Sequence, residues 1–370
     1  MSRTIQLSIW KRKGREMDEK DIDSQTSSIA ITQTSKSKMK IKSKAKKNKP
    51  KQHPLLSYNE LPEYMKDNEF ILNYYRSDWP LKQALFSVFS WHNETLNVWT
   101  HLIGFGLFLG LMMSNLVDVP QLSEFFGVFP SSSSSSPLSS ESNISQNLKD
   151  LYPVTAKFID LNSPEMEMVS PVQKWPFFVF LAGSLFCLLS STTCHLFSCH
   201  SHNLNVLLLR MDYVGIAVMI ITSFFPPIYY IFQCQPLWQI FYLAGISVMG
   251  TFTIAILLMP KFSSIKYRSF RAFLFVGMGL SGLIPAVHGT LANWNEPRRN
   301  AILGYESAMA IFYLTGATFY IYRIPERFRP GCFDLAGHSH QIFHVFVVLG
   351  ALAHYGAALM FLEYRGSVGC

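Results

Sequence analysis

The sequence predicts an all-α membrane protein, a bundle of seven transmembrane helices with a cytosolic N-terminus and a C-terminus outside. Hydrophobic residues make up 49% of the chain and charged residues only 15%. The mean hydropathy is positive, at +0.18, despite a long polar N-terminus. Apolar runs close to the ~20 residues that cross a bilayer core recur along the chain. These observations exclude an ordinary soluble domain.

Residues 1–53 are predicted to be a disordered, Lys-rich cytosolic arm. The arm has too little apolar surface to offset the entropy lost on ordering. The net charge of +8 arises largely here, outside the apolar part of the chain, so it does not indicate binding to nucleic acid. Two interpretations stay open, a tether for anionic lipids and a solubilising tail.

Residues 54–97 are predicted to be a juxtamembrane segment on the cytosolic side. After Trp79-Pro80, the apolar residues Leu81, Leu85 and Phe89 recur at helical spacing. This pattern is typical of an amphipathic helix lying in the membrane interface. A small packed cap over the cytosolic end of the bundle would give the same pattern.

Residues 98–370 are predicted to be the transmembrane domain, with seven spans. The spans are 98–116, 175–199, 205–227, 237–259, 269–291, 302–323 and 341–362. The third is expected to end at Pro226-Pro227. Between the first two spans, residues 118–174 are Ser-rich and predict a flexible loop on the outer side, with a glycosylation sequon at Asn143.

The distribution of basic residues predicts the orientation, because Lys and Arg accumulate on the cytoplasmic side of membrane spans. With the N-terminus inside, the inner segments hold the basic arm and the clusters around Arg268 and Arg327, whereas the outer segments hold few cations. An odd number of spans then places the C-terminus outside. The protein is predicted to be multi-pass, and both the plasma membrane and an endomembrane fit the spans.

Ionisable residues of three spans are predicted to lie at one depth, near the cytosolic face. The second span runs inward and ends near His195, while the third begins near Asp212. The seventh begins with His340 and His344, whose spacing of four places both on one helix face. Three neutral imidazoles with an open fourth position are typical of a catalytic zinc site. His195, His340 and His344 are therefore the candidate Zn²⁺ ligands.

Asp212 and Ser191 are the candidate catalytic residues. Asp212 could orient a metal-activated water or accept its proton. Ser191, one helical turn before His195, could hydrogen bond to the water or to the substrate. A His-x-x-x-His pair also arises by chance, and His340 could merely bond a carbonyl at the interface. The common depth of the separate groups favours the metal site, since ionisable residues are costly within a membrane.

Glu94, Asn97 and His101 form a polar stripe entering the first span. The stripe is interpreted either as a hydrogen-bonded network that braces the cytosolic mouth or as a plain helix start capped by Asn93. Neither interpretation is preferred. His338 is set aside as a ligand because it points elsewhere. His354 is set aside because it lies ~15 Å farther along the helix than His344.

Four stretches of the chain together resemble a known family. They are HNETLNVWTHLIG, Ser191-x-x-x-His195, MDYVGIA, and RIPERFRPGCFDLAGHSHQIFHVFVVLGALAHYGA. In this order they resemble the progestin and adipoQ receptor family, which is similar to the haemolysin-III proteins, and within it the adiponectin receptors and the plant heptahelical transmembrane proteins. The resemblance covers the chain from about residue 55 onward. It implies seven helices and a zinc ion near the cytosolic side, held by His195, His340 and His344, with Asp212 and Ser191 nearby.

The resemblance also implies a function. Animal members of the family are described as receptors, and the adiponectin branch as having ceramidase-type lipid amidase activity. The expectation is a receptor-like membrane protein that hydrolyses a lipid amide such as ceramide, responds to an extracellular ligand, and reaches a cytosolic partner through the arm. The alternative is a signalling receptor in which zinc is purely structural and no turnover occurs.

Overall fold

The computed structural model of the protein describes residues 53–116 and 172–367. The described ranges are helical. Their α-helices are α1 Leu81–Phe86, α2 Thr95–Leu116, α3 Trp175–Phe197, α4 His202–Ser223, α5 Phe225–Ile231, α6 Pro236–Leu258, α7 Arg268–Ser281, α8 Leu283–Ala292, α9 Arg299–Tyr322 and α10 Ser339–Ser367. Short 3₁₀ turns lie at Tyr58–Glu60, Glu63–Met65, Ser87–Phe89, Pro260–Ser263 and Ile265–Tyr267. The predicted arm 1–53 and the loop 118–174, with Asn143, lie almost wholly outside the described residues.

Six segments of the described ranges are long and apolar enough to cross a membrane. They are Thr95–Leu116, Trp175–Phe197, His202–Ile231, Pro236–Leu258, Arg268–Ala292 and Ser339–Gly366. They correspond to six of the seven predicted spans. The other, 302–323, forms α9, which has 24 residues but is less apolar because it carries Glu306 and several hydroxyl side chains. Large apolar side chains such as Leu237 and Phe252 point outward, exposed, as they would toward lipid. The chain is an integral multi-pass membrane protein.

Two of these segments are broken into helix pairs. α4 passes into α5 at Phe224, and α7 passes into α8 at Gly282. The prediction that the third span ends at Pro226-Pro227 is wrong, because both prolines lie in the first turn of α5. There the missing N–H is not needed and the fixed φ suits the helix, so the chain stays helical to Ile231.

α3 and α4 approach closely at Gly183, which gives the first testable prediction. A Cβ on Gly183 would lie 1.9 Å from Thr222 Oγ1 and 2.8 Å from Thr222 Cβ. Because a β-branched threonine is stiff, the two helices must separate to accept a methyl group. Gly183→Ala is therefore expected to cost about 1–3 kcal/mol of stability, measured as a lower unfolding temperature in detergent.

Gly106→Ala is the matched control for Gly183→Ala. No atom lies within 4 Å of the position that a Cβ on Gly106 would occupy, so alanine should be neutral there or stabilise α2 through its higher helix propensity. Equal unfolding temperatures for the two variants would contradict close packing at Gly183.

The residues before α2 fold over one end of the bundle, which we call the histidine end. This end is formed by the last turn of α3 and the first turns of α4 and α10. Leu61, Ile71 and Tyr75 form a small apolar cluster there, and an antiparallel bridge joins Leu56 to Tyr75. The segment therefore packs as a cap. Its helix α1 nevertheless leaves apolar side chains such as Phe86 exposed, as an interfacial helix does.

Arg76 ties the cap to α3. Its buried guanidinium donates to the carbonyl oxygen of His195 at 2.7 Å and to that of Leu196 at 3.1 Å. Carbonyls in the last turn of a helix have no intrahelical donor, and the helix dipole favours a cation there. Arg76 thus fixes the turn of α3 that carries His195.

Candidate metal centre

The structure brings His195, His340 and His344 together at the histidine end. One ring nitrogen from each lies within 4.8 Å of the others, and the ring centroids are 4.7–4.9 Å apart. His195 comes from the last turn of α3, while the other two lie one turn apart at the start of α10. The three residues that the sequence nominated as ligands thus form one cluster.

The hydrogen bonds of these rings leave nitrogens for a metal. His195 Nδ1 lies 2.7 Å from Glu94 Oε2, and its buried Nε2 has no hydrogen-bond partner among the described residues. His344 Nδ1 lies 3.2 Å from both Asn97 O and Thr100 Oγ1. Metal-binding histidines characteristically use their second nitrogen in this way, on a carboxylate or a carbonyl. The cluster therefore fits an ion that prefers imidazole nitrogens, as zinc does.

Glu94 contacts the histidine cluster, a role that was not predicted from the sequence. Besides facing His195, its carboxylate accepts from Asn97 Nδ2 at 2.6 Å. His101 contributes differently, by stacking on His344 with ring centroids 3.6 Å apart. The polar stripe therefore braces the cluster, as the network interpretation expected. The sequence did place Glu94 at the same predicted depth in the membrane as the histidines, and this was the available signal that it could lie near them.

The turn before α2 is held by His92 and Thr95. The His92 N–H donates to Thr95 Oγ1 at 2.9 Å, and the Glu94 N–H donates to His92 Nδ1 at 3.1 Å. Burial lowers the pKa of His92 to about 3, so the neutral ring can donate from Nε2 to Ser87 O, 3.2 Å away. Asn93 does not cap the helix, because its Oδ1 has no partner among the described residues. Of the two interpretations left open for the polar stripe, the plain helix start capped by Asn93 is therefore not supported.

Two nearby histidines lie outside the cluster, as predicted. His338 Nε2 lies 3.3 Å from Asn93 O. His354 is paired with Glu306 instead, with Nδ1 3.0 Å from Oε1. Both have protein partners of their own.

Asp212 and Ser191 line a cavity of about 460 Å³ that also reaches His340 and His344. The buried side chain of Ser191 lies beside the Asp212 carboxylate. Away from the histidines the lining is mainly apolar, from side chains such as Ile228. The cavity thus joins a polar end, with a carboxylate, a hydroxyl and imidazoles, to an apolar interior that suits a lipid chain.

Glu94→Gln is expected to weaken zinc binding by about 10–100-fold, as loss of an outer-shell partner usually does. Glutamine keeps the size and can still accept from Asn97, but it removes the negative charge beside His195. Zinc affinity would be measured by competition with a chelator of known affinity. Glu63→Gln is the matched control, since Glu63 is exposed and pairs with Lys66 in the cap rather than with the histidines. Wild-type affinity in Glu94→Gln would contradict the assignment.

Comparison with known proteins supplies independent information. The model of a family described as haemolysin-III related matches residues 89–355. Heptahelical transmembrane protein ADIPOR1 of Oryza sativa subsp. japonica is 53% identical over 335 residues, covering 87% of this chain and 88% of the relative. Heptahelical transmembrane protein 1 of Arabidopsis thaliana is 55% identical over 320 residues, covering 86% and 85%. The adiponectin receptor protein of Drosophila melanogaster is 33% identical over 310 residues, covering 83% and 60%.

Proposed function

The chain belongs to the haemolysin-III related family, and from that premise we propose that it is an adiponectin-receptor-like, seven-span membrane receptor that hydrolyses a lipid amide such as ceramide. The observation that carries the proposal is the convergence of three histidines at one end of an apolar cavity that also exposes Asp212 and Ser191. An extracellular ligand and a cytosolic partner reached through the N-terminal arm complete the proposed role.

His195, His340 and His344 would hold the zinc ion through the nitrogens that face one another. A zinc ion bound there supplies Lewis-acid polarisation of a carbonyl and a lowered pKa for water. The Glu94 carboxylate and the Asn97 carbonyl hold two of the rings by their other nitrogens. The protein thus contributes an arrangement of ligands that is already in place.

Asp212 would serve as the general base and acid of amide hydrolysis. Its carboxylate lies on the cavity wall, where it can accept the proton of an attacking water and return it to the leaving nitrogen. The hydroxyl of Ser191, beside Asp212 on the same wall, can donate a hydrogen bond to the substrate. The apolar remainder of the cavity would hold an acyl chain, each buried CH₂ contributing ~0.8 kcal/mol.

The proposed orientation places the histidine end toward the cytosol. Basic residues gather at this end, including Arg210, Lys261 and Arg271, whereas the other end has fewer, among them Lys174 and Arg298. Lys and Arg are enriched on the cytoplasmic side of spans. The seventh span of the proposal is α9. Measuring which end of α9 is accessible to a label added outside sealed vesicles tests both the orientation and the assignment of α9 as a span.

The function is tested with the purified protein in lipid nanodiscs containing ceramide. The intact protein is expected to release free fatty acid. The release should stop when a chelator removes zinc and resume when zinc is restored. Protein that retains zinc and remains folded yet releases no fatty acid from a series of lipid amides would overturn the hydrolase proposal.

A structural role for zinc is the second candidate, supported by the way that the cluster joins separate elements. His195 lies on α3, His340 and His344 lie on α10, and their outer contacts reach the start of α2. An ion here would lock three helices of a signalling receptor. This candidate predicts that chelation lowers the unfolding temperature strongly while no lipid turnover exists to lose.

A further inference from the structure

A second cavity, of about 270 Å³, lies at the histidine end and is lined by basic side chains. We call it the basic pocket. Lys266 lines it from the 3₁₀ turn before α7, and Arg268 from the first residue of α7. Arg323 and Arg327 line it from the segment after α9, and Glu69 is the acidic residue of the lining. Four cations thus face one carboxylate. The pocket is separate from the cavity that contains Asp212 and Ser191.

The acidic groups near the basic pocket are already engaged. Glu69 forms an ion pair with Arg323, and Arg323 also donates to Asp67 O at 2.7 Å. Asp67 Oδ2 lies 3.6 Å from Arg268 Nη1, within ion-pair range but too far for a hydrogen bond. Lys266 has no ion pair or hydrogen bond from its side chain within the described part of the chain. The pocket therefore keeps an excess of positive charge.

Arg268 is the central residue of the basic pocket. Its side chain is buried, with the residue only 6% exposed. Nη2 donates to Tyr320 O at 2.8 Å, and the guanidinium lies over the Tyr320 ring at 4.0 Å. Nε and Nη1 have no hydrogen-bond partner among the described residues. A buried charged group with unmet donors is costly, so an acceptor that enters the pocket would be favoured.

We propose that the basic pocket binds a phosphate group, carried either by the headgroup of an anionic phospholipid or by a soluble phosphate. Phosphate oxygens accept several charge-assisted hydrogen bonds at once, and guanidinium forks match their geometry. Arg268 supplies buried donors, while Lys266 and Arg327 supply exposed cations. Exposed Tyr322 lines the pocket together with Phe70 and Ile321, and these side chains give it apolar surface beside the charges, as a lipid-borne phosphate requires. The proposal does not depend on the metal centre.

The test uses full-length protein in neutral detergent with three probes, phosphatidic acid, inorganic phosphate and phosphatidylcholine. Binding is followed as a saturable rise in unfolding temperature. Phosphatidic acid is expected to bind the wild type. It should bind the double variant Lys266→Gln/Arg327→Gln at least ~10-fold more weakly, because charge-assisted contacts are lost. Both residues are exposed, so the variant should fold.

Lys261→Gln/Arg329→Gln is the matched control, because it removes the same charge from exposed residues at the same end that do not line the basic pocket. It should bind phosphatidic acid like the wild type. Inorganic phosphate that competes at similar affinity would support the site with a soluble ligand, and failure to compete would support a lipid headgroup. Equal loss in both double variants, binding of phosphatidylcholine equal to that of phosphatidic acid, or no saturable binding of either phosphate probe would overturn the proposal.

Discussion

Replacing His344 by alanine is expected to leave the purified protein almost without zinc and to abolish fatty acid release. His344 offers a nitrogen to the cluster, so the loss of zinc affinity should exceed the ~10–100-fold that follows from changing an outer-shell partner. Its ring also stacks on His101, and alanine leaves that contact empty. Metal content by mass spectrometry and fatty acid release would be measured on the same preparation.

His288→Ala is the control for this experiment. His288 lies on α8, away from the histidine end, and its Nδ1 is 2.9 Å from Tyr242 Oη. This variant should keep a full complement of zinc. If His344→Ala does not fold, His340→Gln tests the same ligand set with a smaller change in volume. A folded variant of either ligand that retains wild-type zinc would show that the cluster is not the metal site.

Asp212→Asn is expected to keep zinc and lose turnover. Asparagine has the same shape as aspartate but cannot accept the proton of the attacking water, and general acid–base catalysis typically contributes 10²–10⁴-fold. A fall in turnover of about that size is expected with unchanged metal content. This result separates a hydrolase from a receptor with structural zinc, because the structural role gives Asp212 no turnover to lose.

Asp78→Asn is the control for Asp212→Asn. Asp78 is exposed in the cap, and its φ of 58° is a conformation that asparagine also adopts readily. The control should match the wild type in both metal content and turnover. Wild-type turnover in a zinc-loaded Asp212→Asn protein would remove Asp212 from the proposed mechanism.

The meeting of the three histidines could be predicted because the direction of each span fixes which of its ends faces each membrane surface. His195 closes one helix, while His340 and His344 open another, so all three reach the same level without any knowledge of packing. Their spacing of four then fixes a common face for two of them. The helical periodicity and the direction of the spans were therefore sufficient to predict that the three histidines meet.

The contact between Glu94 and His195 could not be predicted, because it depends on how α2 packs against α3. The two residues are 101 positions apart, and the turn that presents Glu94 is held by His92, a local arrangement without a simple sequence signature. A contact that depends on tertiary packing cannot be predicted by considering the sequence of one helix at a time.

The helical segments were predictable where apolar runs are uninterrupted, and less so where polar residues or prolines intervene. The proline pair at 226 and 227 signalled an end, but it occupies the start of α5 instead. Glu306 lowers the hydropathy of α9, yet the helix keeps a full span length and pairs its carboxylate with His354. In both cases the tertiary structure accommodates residues that local sequence patterns treat as unfavourable within a membrane helix.

The two breaks, at Phe224 and Gly282, lie against each other, since a Cβ on Gly282 would be 3.1 Å from Phe224 Cζ. Both residues also border the larger cavity. Small residues line the cavity nearby, among them Gly279, Ala286 and Gly289, and a Cβ on Gly279 would meet no atom within 4 Å. The space therefore exists because little side-chain volume lies there, and one larger residue at position 279 would be enough to narrow it.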